Sequence, residues 1–159
     1  MKTKLILTAI VAATALLATP AALRAEDGHD HAGHDHAKTI AGPNGGRVLT
    51  SVEPHLEFFV TADRKVKITP VDDEGKAVPL GEQSVTVIGG SRSKPTRMSF
   101  TKDGGSLVSD KAFPEGNEMP VVVQIKTKPD AKAVIEKFNL NLNECPTCEH
   151  KEYACTCAH

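Results

Sequence analysis

The residue types that bind transition metals are concentrated near the two ends of this chain. Six of its seven histidines and all four of its cysteines lie in two short terminal segments, and residues 56–144 contain neither type. Imidazole and thiolate are the side-chain ligands that borderline and soft metal ions prefer. We therefore predict metal binding, of zinc or copper ions, in both segments. The predicted ligands are His29, His31, His34 and His36 in the first segment and Cys145, Cys148, His150, Cys155, Cys157 and His159 in the second.

The N-terminal cluster places four histidines within eight residues and interleaves them with aspartate, glycine and alanine. Glycine keeps such a backbone loose and no large apolar side chain anchors it, so residues 26–39 are expected to form a disordered tail. Two or three imidazoles of the tail, completed by aspartate or water, can wrap one zinc or copper(II) ion. The alternative is a solvated polar linker that is rich in histidine but has no metal role.

The C-terminal cluster, within residues 144–159, has the spacing of a compact thiolate site. Cys145-Pro-Thr-Cys148 resembles the knuckle of zinc-ribbon proteins, in which a tight turn points two sulfurs at one ion. The second pair, Cys155-Thr-Cys157, is one residue tighter, and only six residues separate the pairs. A standard ribbon is excluded by that short separation, but a compact loop could bring both pairs to one tetrahedral centre. His150 and His159 are substitute ligands.

Two other interpretations of the four cysteines stay open. In an oxidising compartment they could form two disulfides, with cross-pairing of the two motifs less strained than closure within either motif. The two-residue spacing of the first pair is also found in dithiols that exchange disulfides, although the strand-helix context of such enzymes is missing. The flanking histidines favour metal. The alternative function is a disulfide-stabilised structural or partner-binding module without a metal role.

The body of the chain, residues 40–143, shows the period-two alternation of half-buried strands. Val66 and Ile68 alternate with lysine and threonine, and Val121, Val123 and Ile125 repeat the pattern. Turn signals rich in Gly, Pro and Asp separate about seven such runs. The pattern favours an all-β fold, a single small immunoglobulin-like β-sandwich with a disordered His-rich N-terminal tail and a Cys-rich C-terminal tail.

Two further expectations concern the edges of this domain. Pro129 could open a short helical turn over residues 130–136. Strand burial alone should hold the domain, so that removal of all residues after Asn143 should barely change its stability.

The first half of the body resembles a known family. The stretch Gly42-Pro-Asn-Gly-Gly-Arg-Val-Leu49, followed by His55-Leu-Glu-Phe-Phe59, is similar to the β-rich segment near the N-terminus of periplasmic adaptor subunits of cobalt-zinc-cadmium and copper efflux pumps. In that family a His-rich tail leads into a His-Gly-Gly turn, whereas Asn44 precedes the glycine pair here. The adaptors' helical hairpin and lipoyl-like domain have no counterpart. The resemblance implies metal handling in the periplasm, with a metal-efflux component as a candidate partner.

The first 25 residues have the features of a secretory signal peptide. Lys2 and Lys4 precede an apolar run that is too short for a membrane span, Pro20 breaks the run, and Ala25 offers a small residue for cleavage. We expect a periplasmic or secreted protein without membrane attachment after cleavage near Ala25.

Charge and composition argue against two classes of function, nucleic-acid binding and catalysis. Loss of residues 1–25 removes three basic residues and no acidic one, which moves the formal charge from −1 to −4. An acidic protein without a basic stripe is a poor nucleic-acid ligand. No nucleophile-base set or phosphate-binding glycine loop is present, so we expect a binding protein and not an enzyme. His55, the one histidine in the body, is expected to be an ordinary exposed residue.

Overall fold

The computed structural model describes residues 40–157, and all predicted features outside that range stay predictions. This part of the chain forms eight β-strands followed by one 3₁₀ helix. The strands are β1 (Arg47–Leu49), β2 (His55–Val60), β3 (Lys65–Val71), β4 (Ser84–Ser91), β5 (Lys94–Asp103), β6 (Ser106–Ala112), β7 (Glu118–Lys126) and β8 (Val134–Asn141), and the helix is Glu152–Ala154. The all-β prediction is confirmed.

The eight strands make one antiparallel sheet in the order β1-β2-β3-β6-β5-β4-β7-β8. The long strand β5 joins its two halves, because residues 94–99 pair with β4 whereas residues 100–103 pair with β6. The sheet folds over a single apolar core to which both halves contribute. The expected two layers are thus parts of one continuous sheet, and the immunoglobulin-like detail stays a prediction.

The two ends of the strand order approach each other across this core. The ring of Phe58 on β2 meets the ring of Phe138 on β8 edge-on, with centroids 5.2 Å apart. The guanidinium of Arg47 on β1 lies 4.9 Å from the centroid of the same Phe138 ring. Edge-on aromatic pairs and cation–π contacts each contribute about 0.5–1.5 kcal/mol. These contacts hold the outer strands together where no backbone ladder joins them.

The residues predicted to face inward do lie in the core. Val66, Ile68, Val121, Val123 and Ile125 are all at most 1% exposed, as the alternation requires. The predicted helical turn at residues 130–136 is wrong. β8 begins at Val134, and its residues 134–136 pair with β7, so the sheet ladder overrides the weak helical pattern there.

The Cys-rich end of the described chain is packed against the sheet. Tyr153 and Ala154, in the 3₁₀ helix, are 5% and 2% exposed and belong to the core. The Tyr153 ring meets Phe58 edge-on at 6.1 Å, and its hydroxyl accepts a hydrogen bond of 3.0 Å from the Val60 backbone N–H. Removal of the residues after Asn143 would therefore open the core, contrary to our expectation.

Among residues 40–157, no helix is long and apolar enough to cross a membrane.

Candidate metal centre

The four cysteines come together at one point. The sulfur atoms of Cys145, Cys148, Cys155 and Cys157 all lie within 4.8 Å of one another. Cys155 Sγ is 3.4 Å from Cys145 Sγ and 3.8 Å from Cys148 Sγ. Four sulfurs at about 2.3 Å from a tetrahedral zinc ion lie about 3.8 Å apart. The separations therefore match the size of a four-thiolate centre.

A short hairpin after β8 brings the two cysteine pairs together. Glu144 and Lys151 form an isolated antiparallel bridge, and the Cys145 backbone N–H donates to the His150 carbonyl at 2.9 Å. The side chains of Lys151 and Glu144 also form an ion pair. The first pair lies on the outgoing arm and in the turn, and the 3₁₀ helix redirects the returning chain so that the second pair reaches the same point.

The hairpin and the helix form a C-terminal segment, residues 144–157. The part of this segment that lies between the two cysteine pairs packs against the sheet. Tyr153 and Ala154 follow Cys148 and immediately precede Cys155, and both are buried in the core. The Glu152 backbone N–H donates to the carbonyl of Asn143, two residues after the end of β8, at 2.9 Å. Docking of this helix therefore fixes the position of the second cysteine pair relative to the first.

Hydrogen bonds surround the sulfur atoms. The Thr147 hydroxyl lies 3.2 Å from Cys145 Sγ and 3.1 Å from Cys157 Sγ, and its single hydrogen can be donated to either sulfur. The backbone N–H of Cys157 donates to Cys155 Sγ at 3.3 Å. Donors of this kind stabilise negative charge on sulfur and orient metal ligands. Cys145 is 5% exposed, whereas the other three are partly exposed, so the centre lies at the protein surface with one buried side.

The close approach of the thiols shifts the pKa values of Cys145 and Cys155 in opposite directions. Hydrogen bonds from the side chain and then the backbone of Thr147 lower the pKa of Cys145 to about 6. The Cys157 backbone N–H lowers the pKa of Cys155, but desolvation and hydrogen bonding with the other three thiols outweigh it and raise that pKa to about 12. Negative charge on one sulfur disfavours a second one nearby. A bound cation would relieve this repulsion and displace the proton.

The other predicted ligands have different places. His150 is not part of the sulfur group. Its imidazole lies against Gly45, because a Cβ atom added to Gly45 would be 3.4 Å from His150 Nδ1. Gly45 has φ +81°, in the region that favours glycine. The predicted ligands His29, His31, His34, His36 and His159 fall outside the described residues.

A buried carboxylate was missed by the sequence analysis. Glu57 alternates along β2 with the core residues Leu56 and Phe58, which places it on the opposite face of the strand, and yet it is 0% exposed. Its carboxylate accepts hydrogen bonds from the backbone N–H groups of Asn44 and Gly46, at 2.8 and 2.9 Å, and from the Asn44 side chain at 2.6 Å. A Cβ atom on Gly42 would lie 2.4 Å from the Glu57 side chain. The Gly-Pro-Asn-Gly-Gly turn is thus folded around this carboxylate, and Asn44 serves as its partner.

A second group of metal-ligand atoms lies at one end of the β2–β3 pair. One ligand atom from each of Glu53, His55 and Asp73 lies within 4.8 Å of the other two. The His55 side chain is 16% exposed, so the expectation of an ordinary exposed histidine is wrong. Sequence spacing gave no signal for this group, because Asp73 belongs to a different turn.

Comparison of the chain with protein-family models, with curated proteins and with solved structures gave no match. The chemistry of the two ligand groups is therefore the direct evidence on function.

Proposed function

We propose that this protein is an exported transition-metal-binding protein that buffers, scavenges or hands on zinc or copper ions. The observation that carries the proposal is the convergence of four cysteine sulfur atoms within 4.8 Å of one another. Thiolates are ligands for zinc and copper(I), and a four-sulfur set excludes the hard cations calcium and magnesium, which take oxygen ligands.

The arrangement of the sulfurs favours a shared ion over two disulfides. In a disulfide the two sulfurs are about 2.05 Å apart, whereas Cys155 Sγ has two sulfur neighbours at 3.4 and 3.8 Å. One atom that is close to several others is the pattern of ligands around a common centre. The hydrogen bonds from Thr147 and from the Cys157 backbone support ligand charge in the same way.

A binding role suits the centre better than a catalytic one. Catalytic zinc sites keep one coordination position for water or substrate, whereas four protein thiolates fill a tetrahedral shell. The proposed C-terminal centre would therefore hold its ion firmly. The predicted tail of histidines at residues 29–36 would capture and release ions quickly, because imidazoles on a loose backbone bind weakly and exchange readily.

The cellular role in this proposal rests on sequence features. A leader-like N-terminus supports export, and the similarity of about residues 29–79 to efflux adaptors supports a role beside a heavy-metal efflux component. The tail could deliver an ion to such a component, and the cysteines could store one. Either action would protect the compartment to which the protein is exported from excess metal.

Native mass spectrometry tests the proposal directly. Protein purified from the exported fraction without a metal-affinity column should carry one zinc or copper ion, and its cysteines should resist alkylation until the ion is removed by a chelator. Cobalt(II) added to the metal-free protein should give the absorption of tetrahedral thiolate coordination. A metal-free protein whose mass lacks four hydrogens, because two disulfides have formed, would refute the four-thiolate centre.

A further inference from the structure

We propose a second cation site, formed by Glu53, His55 and Asp73, that binds a divalent borderline ion such as Zn²⁺. It lies in the body of the domain and contains no sulfur. It is a separate site from the cysteine centre, so its existence does not depend on metal binding there.

The register of two strands creates this site. His55, the first residue of β2, pairs with Val71, the last residue of β3. Glu53 lies two residues before β2, and Asp73 lies two residues after β3. Both loops therefore leave the sheet at the same end, and they bring a carboxylate to each side of the imidazole. This meeting is a product of antiparallel pairing and not of sequence proximity.

The hydrogen bond at His55 Nδ1 determines which ring nitrogen is free to bind a metal ion. His55 Nδ1 lies 2.8 Å from the Val52 carbonyl oxygen. A carbonyl can only accept, so Nδ1 carries the hydrogen and the Nε2 atom of the neutral ring presents a lone pair. The Nε2 atom lies 3.2 Å from Asp73 Oδ1, which also has only lone pairs when ionised. Two such atoms face each other favourably only with a cation between them, either a proton or a metal ion.

The distances suit a metal ion. Nitrogen and oxygen ligands at about 2.0–2.1 Å from one ion, at a tetrahedral angle, lie about 3.3–3.4 Å apart. The observed 3.2 Å between Nε2 and Oδ1 is close to this value. Metal-binding histidines almost always donate the opposite ring N–H to a carboxylate, a backbone carbonyl or water, and the Val52 carbonyl is such a partner. Glu53 Oε1 lies nearest the other ring nitrogen, at 4.0 Å from Nδ1, so its exposed side chain would have to rotate to reach an ion bound at Nε2.

The solvent exposure and the charge of these side chains also suit the binding of a metal ion. The histidine side chain is 16% exposed and held in place, whereas the side chains of Glu53 and Asp73 are 72% and 84% exposed. An ion can therefore enter from solvent and find one fixed ligand. Nearby, Glu74 is paired with Lys76, and the Asp72 carboxylate accepts two backbone N–H groups of its own turn. Asp73 is thus the acidic residue of this turn that is directed to the imidazole.

The ligand set determines which ions fit. One imidazole and two carboxylates suit zinc, nickel or cobalt(II) but offer no soft ligand to copper(I). Such a site cannot be lost by thiol oxidation, and its open positions allow fast exchange. It would give the body of the domain a reversible divalent-ion site that complements the tighter sulfur centre.

The test is a titration of the full chain with Zn²⁺ alone, followed by NMR of the histidine ring nitrogens. The His55 Nε2 resonance should move to the position of a coordinated nitrogen. Asp73→Asn should raise the Zn²⁺ concentration needed by at least about tenfold, because loss of even an indirect partner of a metal ligand has that effect. Asp103→Asn is the matched control, since Asp103 is an exposed aspartate at the last position of β5, next to a turn of another strand pair, and it should leave the titration unchanged.

The opposite result is equally distinct. If His55 Nε2 carries a proton and its resonance is unaffected by Zn²⁺ even at concentrations far above those that saturate the cysteines, the group is an ion pair only and the second site is refuted. Metal at the cysteines would be seen separately in the same titration through shifts of residues 144–157. Failure here therefore leaves the proposed function standing, and failure of the cysteine centre leaves this test valid.

Discussion

The strand body and the C-terminal segment of this protein are stabilised in different ways. The body has a continuous ladder of eight strands over one apolar core. The segment, residues 144–157, has one isolated bridge, a three-residue helix and the buried side chains of Cys145, Tyr153 and Ala154. Regions with few buried apolar contacts open more easily than a strand core, and structures with a small core are often stabilised by a disulfide or a metal ion. The candidate thiolate centre lies in the region that most needs one.

Tyr153→Ala should have the largest effect on stability, because Tyr153 connects the segment to the body. The substitution removes a ring packed on Phe58 and should lower the free energy of unfolding by about 3–5 kcal/mol. Zinc affinity should fall as well, because the helix no longer positions Cys155. Tyr153→Phe, the control, loses only the bond to Val60 and should cost about 1 kcal/mol. Chemical denaturation and zinc titration measure both. Wild-type zinc affinity in Tyr153→Ala would show that the centre forms independently of the core.

Cys145→Ser should affect the segment while the body stays folded. Loss of one of four thiolates should weaken zinc binding by at least about 100-fold, because loss of an outer partner of a metal ligand already weakens binding by about 10–100-fold. Thr156→Ser, a conservative change between two cysteines, is the matched control and should bind zinc as the wild type does. Competition with a chromophoric chelator measures the affinity. Disulfide-linked dimers of Cys145→Ser, without any change in bound metal, would favour the structural-disulfide alternative.

High pH should loosen the contact between segment and body. Desolvation, opposed by the Val60 N–H and reinforced by the Glu57 carboxylate, raises the pKa of Tyr153 to about 12 from 10.0. The folded state therefore binds the phenolic proton more tightly than the unfolded state. The corresponding stability is complete below pH 10 and is lost as the pH rises toward 12, by about 1–3 kcal/mol. Tyr153→Phe should lack this component in urea unfolding at pH 9 and pH 11.5. Parallel pH profiles of the two proteins would contradict the buried phenol.

The smallest expected effect on the fold is that of tail removal. A chain that begins at Ile40 should unfold at the same denaturant concentration as the full chain, because the described core contains only later residues. It should lose the weak zinc or copper(II) binding assigned to residues 29–36, and that binding should also fall between pH 7 and pH 5 as imidazoles become protonated. Calorimetric titration compares the two chains. Unchanged isotherms would exclude the tail as a capture site.

The sequence pattern predicted the body better than the segment. Alternation identifies Val66, Ile68 and Val121 as buried because a strand exposes one face, and the close spacing of the four cysteines predicts their convergence. Tyr153 is a lone aromatic residue between Glu152 and Ala154, in a stretch without strand alternation, so no periodicity marks it as part of the core. Glu57 is buried because Asn44 and Gly46 satisfy its carboxylate from another turn. Such long-range pairing cannot be derived from local composition.

The bond between the Tyr153 hydroxyl and the Val60 N–H joins residues 93 positions apart in the chain. β1 covers only residues 56–58 of β2, so the N–H of Val60 gains its partner only when nearly the whole described chain is present. During synthesis, β2 therefore keeps an open edge at Val60 while the later strands assemble. Open edges are sites where strands of other chains add. Copies that stop before Tyr153 would keep this edge permanently, and we expect them to aggregate through β2.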